Sequence, residues 1–268
     1  MIYLAHIRQD GAIQTVQEHC TATAGLAKKY GESLGLSSSM QLAGLLHDAG
    51  KCSKEFSGYI KKAANGETVQ RGSIIHSFAA VRYLLNTFHQ SNNSMELLTA
   101  ELLSIATGSH HGLFDCFDKN GNCGFSHRVN TQPKYDDAAM QSFLEYIASQ
   151  PDIQVLFEKS QKEIESIFQE IKHHSSGQNE ALFELSLLSR LLTSALIDAD
   201  RTDTAAFMDN KAVTIETKDD SNTPWEQCLI HFNTYIAGFQ ADTPVQNRRI
   251  SSLLLMMSLS PSAQGGVD

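Results

Sequence analysis

Residues 42–51 read Leu42-Ala43-Gly44-Leu45-Leu46-His47-Asp48-Ala49-Gly50-Lys51, an apolar run closed by a histidine and an aspartate side by side. Ser37, Ser38 and Ser39 offer N-caps upstream, so the spacing predicts a helix over residues 40–49 that Gly50 terminates as a left-handed C-cap. His47 and Asp48 then fall in its last turn. An imidazole and a carboxylate at the buried end of an apolar helix are costly unless something pairs with them, and a metal ion is the least demanding partner. That reading requires further ligands of the same kind elsewhere in the chain.

The remaining periodicity is helical nearly throughout. Apolar residues at helical spacing predict a helix over 16–34 with His19 in its first turn, a short one around Phe56, Tyr59 and Ile60, another over 74–88 beginning near His76, and one over 95–111 ending in Ser109-His110-His111-Gly112. Residues 113–133, rich in Gly, Asn, Asp and Lys, read as a long surface loop. Further helices are expected over 136–149, 153–171 and 180–200, the last ending in Asp198-Ala199-Asp200-Arg201, followed by a polar connection over 202–223. Alternating strand patterns are almost absent, so the expected class is all-α. One domain spanning residues 1–259 is expected, with its core over about 3–203, C-terminal helices over 224–259 and a polar tail over 260–268.

Composition narrows the function classes. The 268 residues are 41% hydrophobic, enough for a sizeable core, and the net charge is −9. No global basic field therefore attracts a nucleic-acid duplex, and any such contact has to be local, metal-mediated or helped by a partner. No apolar run approaches the ~20 residues of a bilayer span. Cys20, Cys52, Cys116, Cys123 and Cys228 lack framework spacing, and nothing at the start resembles a signal peptide, so a reduced, cytoplasmic setting is the expectation.

His19, His47-Asp48, His76, His110-His111 and Asp198/Asp200 each lie at or near a predicted helix end, where sequential helices of a bundle can bring them to one pocket. Taken singly, each has an ordinary alternative as a packing or solvated residue. Together, seven imidazole and carboxylate donors suit first-row divalent ions, and two metals account for them better than one tetrahedral zinc.

The ordered set His19, His47-Asp48-Ala49-Gly50-Lys51, His76-Ser77, His110-His111-Gly112 and Asp198-Ala199-Asp200-Arg201 resembles the HD superfamily of metal-dependent phosphohydrolases. It is more closely similar to the HD nuclease domain of the CRISPR-associated nuclease-helicase of type I systems, over roughly residues 3–203. The resemblance implies an HD-domain helical bundle whose metal site lies at convergent helix ends. It also implies that His19, His47, Asp48 and a late aspartate hold one metal while His76, His110 and His111 hold a second, with Asp48 shared. Two residues of one helix two positions apart point ~200° apart, so only one of Asp198 and Asp200 faces such a pocket. The family habit of ending with an aspartate before a basic residue favours Asp200, leaving Asp198 as a supporting residue or alternative ligand. Ser77 and Ser109 are expected to support the neighbouring histidines, and Lys51 to touch a phosphate oxygen or order Asp48.

The implied activity is cleavage of single-stranded DNA, endonucleolytic and possibly also exonucleolytic, in CRISPR type I interference. It would use two divalent ions (Mn, Fe, Ni, Co or Mg), with a helicase domain or subunit and an effector complex as partners. The alternative is an HD phosphohydrolase of nucleotides or cyclic nucleotides. A phosphate-binding loop is rejected: Gly44 and Gly50-Lys51 are separated by five residues rather than four, Cys52 replaces Ser/Thr, and no strand precedes. Cys116, Cys123 and His127 are too loosely spaced to predict an additional zinc site. Phe114, Phe117, Phe125 and Tyr135, with Lys119, Arg128 and Lys134, suit either base stacking or local packing.

Overall fold

A computed structural model describes residues 2–70, 73–112, 123–131 and 135–213. It also describes 227, 230–232, 234–235, 238 and 243–248, and the chain divides into two compact units, residues 1–213 and 214–268.

The first unit opens with two short antiparallel strands, β1 (Leu4–Ile7) and β2 (Ile13–Thr15). These are additions to the all-helical expectation, and at four and three residues they are too short to show alternation in the sequence. Their turn is stabilised locally. Gly11 takes the left-handed conformation at φ +85°, and the Arg8 guanidinium forks onto Asp10 at 2.9 and 2.8 Å.

β2 leads straight into α1 (Val16–Glu32). Thr15 accepts from the Glu18 backbone while Glu18 reaches back to the Thr15 N–H at 2.8 Å, a reciprocal cap that fixes where the helix starts. α1 packs against α2 (Ser37–Leu46). A Cβ on Gly44 would stand 2.9 Å from the Ala24 Cα, so glycine is what allows this close crossing. The serine caps expected for α2 are not used. Leu36 occupies the N-cap without a side-chain bond, and the Glu163 carboxylate satisfies the Ser38 and Ser39 N–H groups at 2.8 Å each.

α2 ends at Leu46, and the chain turns through a 3₁₀ segment over Ala49–Cys52. Gly50 is not a left-handed cap, because it is absent from the positive-φ glycines. Glycine is required there by proximity: a Cβ would lie 2.1 Å from the His76 carbonyl oxygen.

The order continues with α3 (Lys54–Ala64), α4 (Phe78–Phe88), α5 (Ser94–Ser109), α6 (Gly124–Thr131), α7 (Tyr135–Tyr146), α8 (Gln150–His174) and α9 (Gln178–Met208). α6 occupies part of the stretch expected as one long loop; residues 113–122 and 132–133 of that stretch lie outside the described residues. α9 runs through Asp200 to Met208, so the expected polar connection from residue 202 is helical at its start. The Arg8 guanidinium donates to the Phe207 carbonyl at 2.9 Å, which ties the hairpin to the last turn of α9.

The core is built from Phe78, Leu84, Leu103, Phe143, Phe157 and Leu192, all fully buried, with Phe88 stacked flat on Phe157 at 3.8 Å. Among the described residues the fold is helical apart from the hairpin, and no helix is long and apolar enough to cross a membrane. In the second unit residues 244–248 are helical, while most of the expected helices over 224–259 and all of the tail over 260–268 lie outside the described residues.

Candidate metal centre

Five separate elements deliver the site. His19 comes from the first turns of α1, His47 and Asp48 from the end of α2, His76 from the turn before α4, His110 and His111 from the end of α5, and Asp200 from inside α9. Their donor atoms form two groups, His19, His47, Asp48 and Asp200 in one and Asp48, His76, His110 and His111 in the other, with all atoms of each within 4.8 Å of one another.

Asp48 belongs to both and is 1% exposed. Its Oδ2 lies 3.1 Å from His19 Nε2 and 3.4 Å from His47 Nε2, while its Oδ1 lies 3.3 Å from His76 Nε2 and 3.6 Å from His110 Nε2. One carboxylate therefore presents an oxygen to each group. Asp200 Oδ1 completes the first, 3.2 Å from His19 Nε2 and 3.6 Å from His47 Nε2.

The histidines are oriented from behind. The Nδ1 of His47 lies 2.8 Å from the Gly44 carbonyl and that of His110 lies 2.6 Å from the Thr107 carbonyl. A carbonyl only accepts, so each Nδ1 carries the proton and each Nε2 lone pair points inward. His19 Nδ1 donates to the Asp203 carboxylate at 2.6 Å, so Nε2 is the nitrogen that faces inward. His76 follows the pattern loosely, 3.4 Å from the Ile74 carbonyl.

The inward nitrogens come in close pairs. His19 and His47 Nε2 are 3.2 Å apart, and His76 and His111 Nε2 are 2.8 Å apart. Two nitrogens each ~2.1 Å from a shared ion at a right angle stand ~3 Å apart, which is the spacing of metal-bound imidazoles. Among the described residues, His110 Nε2 and Asp48 Oδ1 are buried without a hydrogen-bond partner. Lone pairs crowded and orphaned in this way fit a cation, and the mixed imidazole and carboxylate set fits a divalent one.

The electrostatics differ between the two groups. Burial by itself would raise the Asp48 carboxyl, but Lys51 and His47 outweigh it and hold the group well below the usual carboxylate range. Burial opposes charge on His19, yet hydrogen bonds to Asp200, Asp203 and Asp48 push it up to about 10. In the other group, burial followed by the neighbouring His110 and His76 lowers His111 to about 3. Metal binds ionised carboxylates and neutral imidazoles, so Asp48 and His111 already have the binding form, while an ion would displace the second proton of His19.

Residues 16–133 match the family model for the HD domain. That span carries six of the seven donors; Asp200 lies beyond it. HD-domain proteins are metal-dependent phosphohydrolases, and they bind divalent ions. No curated protein matches the chain.

Lys51 is buried against Asp48, its Nζ 2.6 Å from Oδ2 and its ammonium over the Phe56 ring, so of its two expected roles the one it occupies is ordering Asp48. The supporting roles expected of Asp198, Ser77 and Ser109 do not hold. Asp198 is exposed on the far face of α9, lining a surface cavity with Tyr30, Leu34 and Arg201. Ser77 and Ser109 are buried but show no side-chain bond to a histidine among the described residues; backbone carbonyls do that work for His47, His76 and His110.

Asp203 was missed. It lies three residues after Asp200, on the same helical face, and that spacing was the one available signal. His6 was also missed. It stands on β1 with its ring edge-on to His19, centroids 4.9 Å apart, and is not a member of either donor group.

Of the aromatic and basic residues near the doubled histidine, Phe125 packs on Phe78 at 5.7 Å and is half-buried, which is local packing. Phe114, Cys116, Phe117, Lys119 and Lys134, and the side chain of Tyr135, lie outside the described residues. Cys123 and His127 are exposed on α6 and its approach.

Proposed function

We propose that this HD domain is a metal-dependent nuclease that cuts single-stranded DNA phosphodiesters, in the manner of the CRISPR type I nuclease-helicases its ordered motif series resembles. The observation that carries the reading is Asp48, one buried carboxylate offering an oxygen to each of two donor groups. His19, His47, Asp48 and Asp200 would hold one ion, and Asp48, His76, His110 and His111 the other. Two divalent ions held there would supply Lewis-acid charge for a phosphodiester and would acidify an attacking water.

The protein's own residues do the rest. The Gly44 and Thr107 carbonyls and Asp203 fix which imidazole nitrogen faces inward. Lys51 keeps Asp48 ionised and in place. His111 is exposed and His76 half-buried, so the second group is the side open to an incoming phosphate. With ions bound the pocket would be locally cationic, which would allow phosphate binding in a chain of net charge −9 without a basic surface. The partners of this reading are single-stranded DNA, a helicase domain or subunit and a CRISPR effector complex, in the cytoplasm.

Purified protein given Mn, Ni or Co is expected to nick circular single-stranded DNA and to stop on addition of chelator. Asp48→Ala is expected to lower the rate by more than ~100-fold, beyond the loss seen when only a group behind a metal ligand is removed. Equal cutting by Asp48→Ala would overturn the reading. Turnover of nucleotides or cyclic nucleotides without DNA cleavage would replace the substrate and keep the metal chemistry.

A further inference from the structure

Four histidines of the centre share one design, an inward Nε2 with Nδ1 held from behind, but their supports differ. His47, His76 and His110 lean on backbone carbonyls of their own neighbourhood, two or three residues upstream. His19 leans on a side chain 184 positions away, the Asp203 carboxylate, at 2.6 Å. The same oxygen, Oδ2, accepts a second bond from Gln14 Nε2 at 2.8 Å. Asp203 is 6% exposed and Gln14 7%. A carboxylate buried to this degree is expensive, and neither α9 nor the hairpin needs it for capping: α1 is capped by Thr15, and the end of α9 is tied by Arg8.

The reason for the difference is local. The residue three positions before His19 is Val16, the first of α1, and its carbonyl is taken by the helix's own bond to the N–H of residue 20, so it is not left over for the His19 ring. The carbonyls that serve His47 and His110, Gly44 and Thr107, lie in the last turns of α2 and α5, where the helix leaves carbonyls without an intrahelical partner. α9 fills the place with a carboxylate, one turn beyond Asp200 on the same face, so a single helix provides both a donor to the first group and the support of its neighbour.

We propose that Asp203, held by Gln14, is a positioning residue that fixes the His19 ring and its Nδ1–H tautomer so that Nε2 is presented to the first metal. This rests on the metal reading of the site given above. Because Oδ2 receives both bonds, the atom at that position has to be an acceptor. Asparagine can still place an oxygen there, steered by the Gln14 amide, whereas leucine cannot. Removing a carboxylate behind a metal-bound histidine costs 10–100-fold in metal affinity.

The test uses the full chain, zinc as a diamagnetic probe, a competing chelator to read affinity, and nitrogen-15 spectra of the histidine rings. In the wild type the His19 resonances are expected to show a protonated Nδ1 and a zinc-bound Nε2. Asp203→Leu is expected to weaken zinc binding by 10–100-fold and to lose that pattern for His19 while His110 keeps it. Asp203→Asn is expected to keep the pattern with a smaller loss. Melting of the metal-free variants by circular dichroism separates failure to fold from failure to bind. Asp203→Leu with unchanged His19 resonances and unchanged affinity would overturn the inference, as would an asparagine variant as poor as the leucine one. Wild-type protein that took up neither zinc nor Mn, Ni or Co would remove the proposed function as well, so the two failures are told apart by the wild type alone.

Discussion

At the scale of single residues, the centre is a set of charges that compensate one another in place. His19 carries its proton up to about pH 10 in the metal-free protein, against opposing burial, because Asp200, Asp203 and Asp48 surround it. A histidine raised above its unfolded value near 6.5 contributes stability that is complete below that value and is lost as pH rises through 10. His6 and His111 run the other way. Burial first, then Lys51 for His6 and His110 for His111, lowers both to about 3. Their contribution is complete above the unfolded value and is lost as pH falls from there toward 3. The metal-free protein is therefore expected to be most stable near pH 6–7, with its stability falling on both sides, by an amount on the order of a few kcal/mol on the alkaline limb. Saturating metal takes the place of the His19 proton and should flatten that limb. Melting curves across pH with and without metal check this, and an alkaline limb equally steep in both would count against His19 as a ligand.

At the scale of elements, the site depends on backbone surfaces that touch. Gly50 lies under the His76 carbonyl with no room for a Cβ, so the 3₁₀ turn after Asp48 and the turn before α4 are in contact. Gly50→Ala is expected to cost about 1–3 kcal/mol through overpacking and to weaken metal binding, because the strain falls on His76. Gly58, inside α3 with open space around it, provides the opposite sign: Gly58→Ala should gain up to about 1 kcal/mol from helix propensity and leave metal binding unchanged. Urea unfolding with a metal titration on both variants measures the contrast. The Glu163 cap on α2 shows the same dependence on tertiary contact, since a carboxylate from α8 replaces the serine cap that the local sequence offers.

At the scale of the whole molecule, the first unit converges at one place, with contributions from α1, α2, α5, α9 and the turn before α4. Binding of a divalent ion there acts on the folded state alone. An ion at 100 times its dissociation constant adds ~2.7 kcal/mol, which for a chain of this size is a rise of ~5–10 °C in melting temperature. Thermal melts with Mn or Co, reversed by chelator, read it directly; Asp48→Ala, which removes the shared ligand, should show little or no rise.

The helical class and the helices carrying His19, His47-Asp48 and His110-His111 were legible in the sequence, because apolar periodicity and short motifs are local properties; the convergence of the motif series on one site was implied by the family resemblance. The β hairpin was not, since its strands are too short to alternate. The choice between Asp198 and Asp200 also needed the fold: both lie inside one continuous helix, and only the rotation of α9 against α1 and α2 turns Asp200 inward and leaves Asp198 exposed. Asp203 behind His19, Glu163 on α2 and the close fit at Gly50 belong to the same class. Each joins residues far apart in the chain, and a contact of that kind is fixed by packing, which no local pattern encodes.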